Sequence, residues 1–590
     1  MESFCFPCAP NTTRGRATLF DGNAKQLVYA CGRNIAVVNL ATLHTQLFTE
    51  HAHRTTTVRL SPDGTLAASG DSSGVVKVWA LSDRACSNTV PALGGAVLDV
   101  AWSSDGSKVA CTGEGRGRLA QCFAKDSQNM LGAFEGLSRP TNSCAFTTSE
   151  SGKLGLLTGS DDGAVKLFTG VPGPFTFARG VDADAKASFV NCLRASPADA
   201  QLFAVASAQL KLYHLDGGAT TPLVGHTGSV LAVSFSPEGA VLASAGVDKT
   251  VRLFDIRTAA QVHSFTMGTD VRDMQCGVLF ADNTTVASVS LSGDINLFDT
   301  RVNKRVKVIK SHQKNVTALC CQGANGVTSS DYEGTVLTRH LDAPDRVDYV
   351  LGRHTNSVVG VHAGQEGMVT AGLDDKLVYG APQDTSAIQL PGAPSSLAVS
   401  DAGLSVLVTT KGVVLASKEK GILCVEPVAK ATVAGITADG TQVAVGCEDG
   451  SLRLYVVKSG NSLELTAPLP AKHRGAVTSL RFSPDGKLLA TADADRAVHI
   501  WDVAARETKP TGGRYHTSRV TALSWRPDGG LLASGGLDCT LFVWRPDEPA
   551  SKRVTIGNAH RDGVTCVGWC GSTLVSAGAD CVVRAWTLEA

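Results

Sequence analysis

The feature that most constrains this chain is a short pattern that recurs about every forty residues along its length. Clear copies are GSDDGAVKLF, which ends at Phe168, SAGVDKTVRLF, which ends at Phe254, and TADADRAVHIW, which ends at Trp501. With the weaker copies included, fourteen units follow one another at intervals of about 36 to 46 residues. This period is typical of a four-stranded propeller blade, so we expect an all-β chain.

Each unit alternates apolar and polar residues and is interrupted by tight turns such as SPDG at Ser61 and Ser483. A histidine opens many units in the form H-x-x-x-V, as at His226, His312, His354, His473, His516 and His560. These residues resemble the WD-repeat family. The resemblance implies that the histidine, a strand hydroxyl, the turn aspartate and the closing tryptophan form a hydrogen-bonded network in each blade.

Fourteen units are too many for one ring, because propellers usually close with four to eight blades. The count therefore predicts two seven-bladed WD-repeat β-propellers in tandem. We place the first propeller at residues 16–311 and the second at residues 312–590.

The last unit is one strand short of a complete blade, whereas the first unit is complete without residues 1–10. Because an unpaired edge strand invites aggregation, we predict that residues 1–10 supply the missing strand of the last blade. The alternative is a disordered N-terminus beside a three-stranded final blade.

Two adjacent aspartates, Asp161 and Asp162, occupy the turn of the fourth unit. In better-preserved units the network aspartate lies six residues before the closing aromatic residue; the pairs include Asp248 with Phe254, Asp495 with Trp501, and Asp580 with Trp586. The same spacing from Phe168 selects Asp162 as the structural residue. Asp161 is then an additional carboxylate, and the alternative is an ordinary solvated turn residue.

Other candidate binding residues surround this turn in the sequence. The preceding unit carries Glu114 in the glycine-rich turn GEGR, and the stretch after it contains Phe175, Phe177 and Phe189. Carboxylates on turns of adjacent blades, with aromatic residues between them, are typical of a protein-binding surface. Phe189 could equally be a core residue of its strand.

The motifs GEGR, GSDD, SFVNC and SVSLSG, together with the two-by-seven layout, resemble the actin-interacting protein 1 family. The resemblance implies a protein that binds cofilin-decorated actin filaments, promotes their severing and disassembly, and restrains barbed-end growth. It also implies a cytoplasmic protein associated with the actin cytoskeleton, and we expect a monomer. The alternative is a generic WD-repeat scaffold for an unrelated complex.

The resemblance also implies which residues bind actin and cofilin. They are Glu114, Asp161, Phe175 and Phe189. The sequence departs from the family pattern at Gly173 and Arg179, which occupy positions that usually hold phenylalanine, and in the longer stretch VDADAKAS before Phe189.

Charge and motif content argue against several other classes. The formal net charge is zero, which removes the electrostatic argument for nucleic acid or a membrane as the main partner. No phosphate-binding loop, zinc-protease motif or nucleophile elbow is present, so we expect no enzyme, cofactor or metal site. Cys5 and Cys8 have the spacing of a redox pair, but no second pair accompanies them, and we expect the cysteines to be buried thiols.

Overall fold

The computed structural model describes residues 2–115, 117–132, 134–148, 153–170, 176–182, 189–217, 220–344, 346–350, 354–364, 367–381, 384–458, 462–466 and 468–588. The described residues form β-strands and two short 3-10 helices, Val271–Asp273 and Ala550–Lys552. The strands pair in antiparallel blades that follow the repeat units of the sequence. The predicted fold class, two seven-bladed WD-repeat β-propellers in tandem, is confirmed.

The first strand, β1 (Glu2–Cys5), belongs to the last blade and is described with it. Blade 1 contains β2 (Asp21–Gly22), β3 (Gln26–Cys31), β4 (Asn34–Asn39) and β5 (Thr45–Phe48). Blade 2 contains β6 (Thr55–Leu60), β7 (Leu66–Asp71), β8 (Val75–Ala80) and β9 (Cys86–Pro91). Blade 3 contains β10 (Val97–Trp102), β11 (Lys108–Gly113) and β12 (Ala120–Ala124).

Blade 4 contains β13 (Thr141–Thr148), β14 (Leu154–Ser160), β15 (Ala164–Thr169) and β16 (Thr176–Asp182). Blade 5 contains β17 (Cys192–Ala195), β18 (Leu202–Ala206), β19 (Leu210–His214) and β20 (Thr221–Pro222). Blade 6 contains β21 (Val230–Phe235), β22 (Val241–Gly246), β23 (Thr250–Asp255) and β24 (Gln261–Thr266). Blade 7 contains β25 (Gln275–Phe280), β26 (Thr285–Ser290), β27 (Ile295–Asp299) and β28 (Lys304–Ile309).

Blade 8 contains β29 (Val316–Gln322), β30 (Gly326–Asp331), β31 (Val336–His340) and β32 (Val347–Val350). Blade 9 contains β33 (Val358–Gly364), β34 (Gly367–Gly372), β35 (Lys376–Ala381) and β36 (Asp384–Gln389). Blade 10 contains β37 (Pro394–Val399), β38 (Ser405–Thr409), β39 (Gly412–Ser417) and β40 (Gly421–Glu426). Blade 11 contains β41 (Ala431–Ile436), β42 (Gln442–Cys447), β43 (Leu452–Val457) and β44 (Leu463–Leu465).

Blade 12 contains β45 (Val477–Phe482), β46 (Leu488–Asp493) and β47 (Ala497–Asp502), and β47 pairs with two short strands, β48 (Glu507–Thr508) and β49 (Gly513–Arg514). Blade 13 contains β50 (Val520–Trp525), β51 (Leu532–Gly536), β52 (Leu541–Trp544) and β53 (Val554–Ile556). Blade 14 contains β54 (Val564–Cys570), β55 (Thr573–Gly578) and β56 (Val583–Thr587), and its fourth strand is β1.

Both rings close through their innermost strands. In the first ring β6, β10, β13, β17, β21 and β25 each contact the next, and β2 contacts both β6 and β25. In the second ring β29, β33, β37, β41, β45, β50 and β54 form the same series, and β54 contacts β29. Chain contacts divide the molecule into residues 7–313 and residues 1–6 with 314–590. We propose these two units as the two propeller domains, close to the predicted boundaries at residues 16–311 and 312–590.

The N-terminal strand pairs antiparallel with β56 in blade 14, and Phe4 lies opposite Ala585. The backbone N–H of Phe6 donates to the carbonyl of Val583 at 3.1 Å, and the buried Phe6 ring belongs to the core between blades 14 and 8. Residues from Pro7 onward group with the first propeller instead. Chain-distant residues therefore complete the second propeller's last blade.

The histidine network implied by the WD-repeat resemblance is complete in blades 2, 12, 13 and 14, and blades 6 and 9 contain it without a tryptophan. In blade 14, His560 Nδ1 lies 2.9 Å from Asp580 and its Nε2 lies 2.8 Å from Ser576 Oγ, which also accepts a hydrogen bond from the Trp586 indole. Burial raises the pKa of Asp580, but the charge and hydrogen bond of His560 outweigh burial and bring this pKa below its ordinary value. This network joins the second and third strands of the blade, and the turn between them, to the segment that precedes the blade.

The expected position of the network aspartate is wrong in blade 12. His473 contacts Asp493, at 2.9 Å, and not Asp495, which instead pairs with Arg514 on the surface. Asp493 is the last residue of its strand, eight residues before Trp501. Asp71 occupies the same strand-end position in blade 2 and contacts His51, so the turn accepts the aspartate at either of two positions.

Within the described part of the chain no disulfide is formed, and Cys5 and Cys8 are both buried. Burial raises the pKa of several strand cysteines, for example to about 12 at Cys192. The structure shows no helix, among the residues it describes, with the length and hydropathy needed to cross a membrane.

Candidate functional site

Three of the predicted site residues, Glu114, Asp161 and Phe189, lie on one face of the first propeller, which we call the site face. In each blade the inner strand begins on this face and the turn between the second and third strands returns to it, because successive strands are antiparallel. Glu114 follows β11, Asp161 follows β14, and Phe189 precedes β17. The topology thus brings residues of blades 3, 4 and 5 to the same end of the ring.

Asp161 is held by contacts to its own blade. Its backbone N–H donates to the Pro140 carbonyl at 3.0 Å, and its carboxylate accepts a hydrogen bond from Asn142 Nδ2 at 2.7 Å. The same amide nitrogen donates to the Val190 carbonyl at 2.9 Å. Asn142 therefore ties the half-buried Asp161 carboxylate to the segment that carries Phe189.

Asp162 serves the local turn. Its carboxylate accepts hydrogen bonds from the Ala164 backbone N–H at 3.0 Å and from the Ser160 hydroxyl. Gly163 follows with a φ of +79°, a conformation that glycine adopts without steric cost. The two aspartates thus have different partners. Asp162 closes the turn, and Asp161 faces Asn142 on β13, the inner strand of its own blade.

Asn142 reaches Asp161 because of a β-bulge at the start of β13. Thr141 pairs with Ser160 and Ser143 pairs with Gly159, so Asn142 is the extra residue between them. A bulge turns the extra residue's side chain away from the regular strand alternation. Equivalent bulges occur in blades 2 and 3, where Thr56 and Leu98 are the extra residues. Both of them line the same cavity as Asn142.

Phe189 is a surface residue. Its side chain is 61 % exposed, whereas the next residue, Val190, is fully buried and its N–H donates to the Ser160 carbonyl at 3.2 Å. The buried valine anchors the backbone, and the exposed phenylalanine projects from it. Of the two interpretations left open by the sequence, core or surface, the structure places Phe189 on the surface.

Glu114 lies in a turn that packs closely against the chain entering blade 3. Its N–H donates to the Ala96 carbonyl at 2.8 Å, and a side chain on Gly113 would place its Cβ 2.0 Å from that same oxygen. The carboxylate forms an ion pair with Arg16 Nη1 at 2.8 Å, with both side chains partly exposed. The glycine-rich turn therefore positions Glu114 beside a residue from the start of the first propeller.

Phe175 lies outside the described residues, so its predicted role stays a prediction. Its neighbour Phe177 is 53 % exposed and its ring meets the closing residue Phe168 edge-on, with 5.9 Å between ring centroids. At least one aromatic residue of this outer strand is therefore exposed on blade 4.

A cavity of about 430 Å³ opens on the site face, and three of the predicted residues are on or beside it. Asp161 and Phe189 line it directly, and Glu114 reaches it through its ion pair with the lining residue Arg16. The polar lining residues that sequence reasoning missed are Asn11, Thr13, Arg16, Thr18, Arg54, Thr55, Thr56, Asn142 and Asn191. No motif marks these residues in the sequence. Most of them share only their location at or just before the start of an inner strand.

A buried charge cluster lies on the same inner strands, a few residues further along. Asp99 accepts hydrogen bonds from Arg194 Nη1 and Ser143 Oγ, both at 2.8 Å, and Arg59 Nε lies 3.6 Å away. Burial lowers the pKa of Arg59, but the carboxylates of Asp99 and Asp21 outweigh burial and raise it. This cluster joins blades 2, 3, 4 and 5 and holds the wall of the cavity in a fixed arrangement.

Comparisons with known proteins agree with this architecture. The sequence matches the family model "WD domain, G-beta repeat" at residues 42–80, 219–255, 467–502, 513–545 and 551–587. It is 33 % identical to Actin-interacting protein 1-2 of Arabidopsis thaliana over 99 % of this chain and 98 % of that protein. It is 30 % identical to Actin-interacting protein 1 of Drosophila melanogaster over 98 % and 97 % of the two chains, and 31 % identical to WD repeat-containing protein 1 of Bos taurus over 99 % and 98 %. Full-length similarity at this level shows that the chain belongs to the actin-interacting protein 1 family of WD-repeat proteins.

Proposed function

We propose that this protein binds cofilin-decorated actin filaments through the site face of its first propeller, promotes their severing and disassembly, and restrains barbed-end growth. The observation that carries the proposal is the grouping of Glu114, Asp161 and the exposed Phe189 around one cavity. Family membership supports actin as the partner, because relatives are named for that interaction.

The chemistry of the site face suits protein recognition. An exposed aromatic ring supplies apolar contact area at a small entropic cost, and a few aromatic anchors commonly dominate the affinity of an interface. The surrounding carboxylates and amides provide directional hydrogen bonds that fix orientation. The backbone of each contact residue is tied into a closed ring, so little ordering is needed on binding.

In the mechanism we propose, the protein binds a strained, cofilin-decorated filament more tightly than a relaxed one. Binding then shifts the filament toward the strained state by the difference between the two affinities. The protein performs no nucleotide hydrolysis and needs no cofactor in this account. We place it in the cytoplasm with the actin cytoskeleton, acting as a monomer.

The competing proposal is a WD-repeat scaffold for a complex without actin, since a fold alone does not determine a partner. Such a scaffold would bind through surfaces other than the site face, and loss of Glu114 and Asp161 would leave its interactions unchanged. The two proposals therefore differ in a measurable way.

The experiment compares the wild-type protein with the Glu114→Ala, Asp161→Ala double variant by co-sedimentation and filament-length imaging, with and without cofilin. The matched control is Glu238→Ala, which removes an exposed carboxylate from the turn between β21 and β22, on the opposite face. We expect wild type and control to shorten filaments only when cofilin is present, and the double variant to lose this activity. Equal binding to bare and decorated filaments would refute the mechanism.

A further inference from the structure

The cavity on the site face contains a cation that forms no ion pair with the described residues. Arg54 lines the cavity, its side chain is exposed, and its guanidinium makes no ion pair or hydrogen bond with any residue in the described ranges. The backbone around it is fixed, because the Arg54 carbonyl accepts from Ser72 N–H at 2.8 Å and Thr55 N–H donates to Gly32 at 3.0 Å. The guanidinium therefore projects from an anchored position and has no partner among the residues that the structure describes.

Arg16, the other arginine of the cavity, differs in this respect. It is paired with Glu114 at 2.8 Å, which balances both charges. Arg54 is thus the cavity's uncompensated positive charge within the part of the chain that the structure describes.

The opposite charge on the cavity wall is Asp161, and it too lacks an ionic partner among the described residues. Its carboxylate accepts a hydrogen bond from Asn142, a neutral amide, and no described lysine or arginine lies within ion-pair distance. Phe189 lines the same cavity with its exposed ring. The cavity therefore presents a separate cation, a separate carboxylate and an apolar surface.

We propose that this cavity receives a short segment of the decorated filament in which an acidic side chain binds Arg54, a basic side chain binds Asp161, and an apolar side chain packs on Phe189. This inference rests on the proposed function and adds to it a third charged contact residue, Arg54. A volume of about 430 Å³ holds a few side chains and not a folded element. A simple anion would satisfy Arg54 alone, whereas a peptide of mixed charge satisfies both groups.

Charge complementarity of this kind determines which partner binds and in which orientation. Each group loses water when the segment enters, so a partner with the wrong charge at either position would leave a partly desolvated, unpaired ion. Removal or reversal of the Arg54 charge should therefore weaken binding even though the Arg54 guanidinium forms no ion pair or hydrogen bond with the described residues.

The experiment measures co-sedimentation of full-length variants with cofilin-decorated actin filaments over a range of salt concentrations. The variants are Arg54→Gln, Arg54→Glu, Asp161→Arg and the double swap Arg54→Glu with Asp161→Arg. The control is Arg257→Glu, which reverses an exposed arginine between β23 and β24, away from the cavity lining. Thermal unfolding verifies that each variant is folded, and Arg54→Gln provides the test if charge reversal impairs folding.

We expect Arg54→Glu to weaken binding about tenfold or more at low salt, with a smaller difference at high salt, and Arg257→Glu to bind like wild type. The double swap should bind no better than the weaker single variant, because each residue contacts a different group of the partner. If folded Arg54→Gln and Arg54→Glu bind like wild type, the inference is wrong while the proposed function stands. Recovery of binding in the double swap would also overturn the inference. It would show that residues 54 and 161 interact with each other and not with separate groups of the partner. If wild type fails to bind decorated filaments, the proposed function fails and this inference with it.

Discussion

The two candidate network aspartates of blade 12 provide a sharp test of the fold's energetics. We predict that Asp493→Ala strongly destabilises the second propeller and that Asp495→Ala does not. Both substitutions remove the same atoms from the same turn, two residues apart. They differ in what each carboxylate contacts and in how far it is buried.

The expected magnitude follows from those contacts. Asp493 and His473 are completely buried, and the aspartate accepts from the His473 ring at 2.9 Å and from Ala497 N–H at 2.8 Å. Its loss leaves two buried donors unsatisfied, at about 1 to 3 kcal/mol each, and removal of one member of a buried pair typically costs about 3 to 5 kcal/mol. Asp495 pairs with Arg514 where both side chains are more than a third exposed, so its loss should cost at most about 1 kcal/mol.

The assay is urea unfolding followed by tryptophan fluorescence, which reports on the buried Trp501 of the same blade. Because the chain has two propellers, the second-propeller transition must be fitted separately from the first. We expect a large fall in that transition's midpoint for Asp493→Ala, an unchanged slope, and a midpoint near wild type for Asp495→Ala. Equal destabilisation by both substitutions, or greater destabilisation by Asp495→Ala, would refute the assignment of the network to Asp493.

The remaining predictions concern the site, ring closure and pH. Phe189→Ala should weaken binding to decorated filaments with little change in melting temperature. The adjacent Val190→Ala should cost about 2 kcal/mol of stability, since only Val190 is buried. Calorimetry on both variants measures the stability effect, and co-sedimentation measures the binding effect. Phe6→Ala should destabilise the second propeller by about 3 to 5 kcal/mol and leave the first unchanged, because its buried ring packs in the core of blades 14 and 8, and a first-propeller loss in denaturation would contradict this. In blade 2, burial raises the pKa of Asp71, but hydrogen bonds from His51 and from the adjacent turn outweigh it and bring the pKa to about 2, so the contribution of Asp71 to folding is complete above about pH 4 and is lost as pH falls toward 2. Acid titration of unfolding should show this loss in wild type and a shallower dependence in Asp71→Asn.

Much of the fold could be predicted because the information is local. Alternating apolar residues and turn residues recur along the chain, most units close with an aromatic residue, and each unit forms one blade. The position of the network aspartate was harder to predict, since the sequence DAD in blade 12 offers Asp493 and Asp495 to the same histidine. A carboxylate at the strand end or two residues later can reach the ring, and blade 2 uses the first arrangement while blade 6 uses the second.

The candidate site was only partly predictable, for a physical reason. Asp161 and Phe189 were identifiable because each departs from the repeat within its own unit. Arg54 was missed because it joins the cavity only when blade 2 and blades 4 and 5 take their places in one ring. Asn142 depends on a β-bulge, which alternation of apolar and polar residues does not reveal.

The pairing of β1 with β56 also has a consequence for how the protein is made. Translation releases Glu2–Cys5 about 580 residues before its partner Val583–Thr587. At a translation rate of about 5 to 20 residues per second, roughly half a minute to two minutes pass between synthesis of the first strand and synthesis of its partner. During that interval the whole first propeller can emerge and close, while the second ring stays open until Val583–Thr587 have been made. The first strand therefore stays unpaired on the growing chain, and ribosomes stalled before Val583 should yield a folded first ring with an unclosed second one.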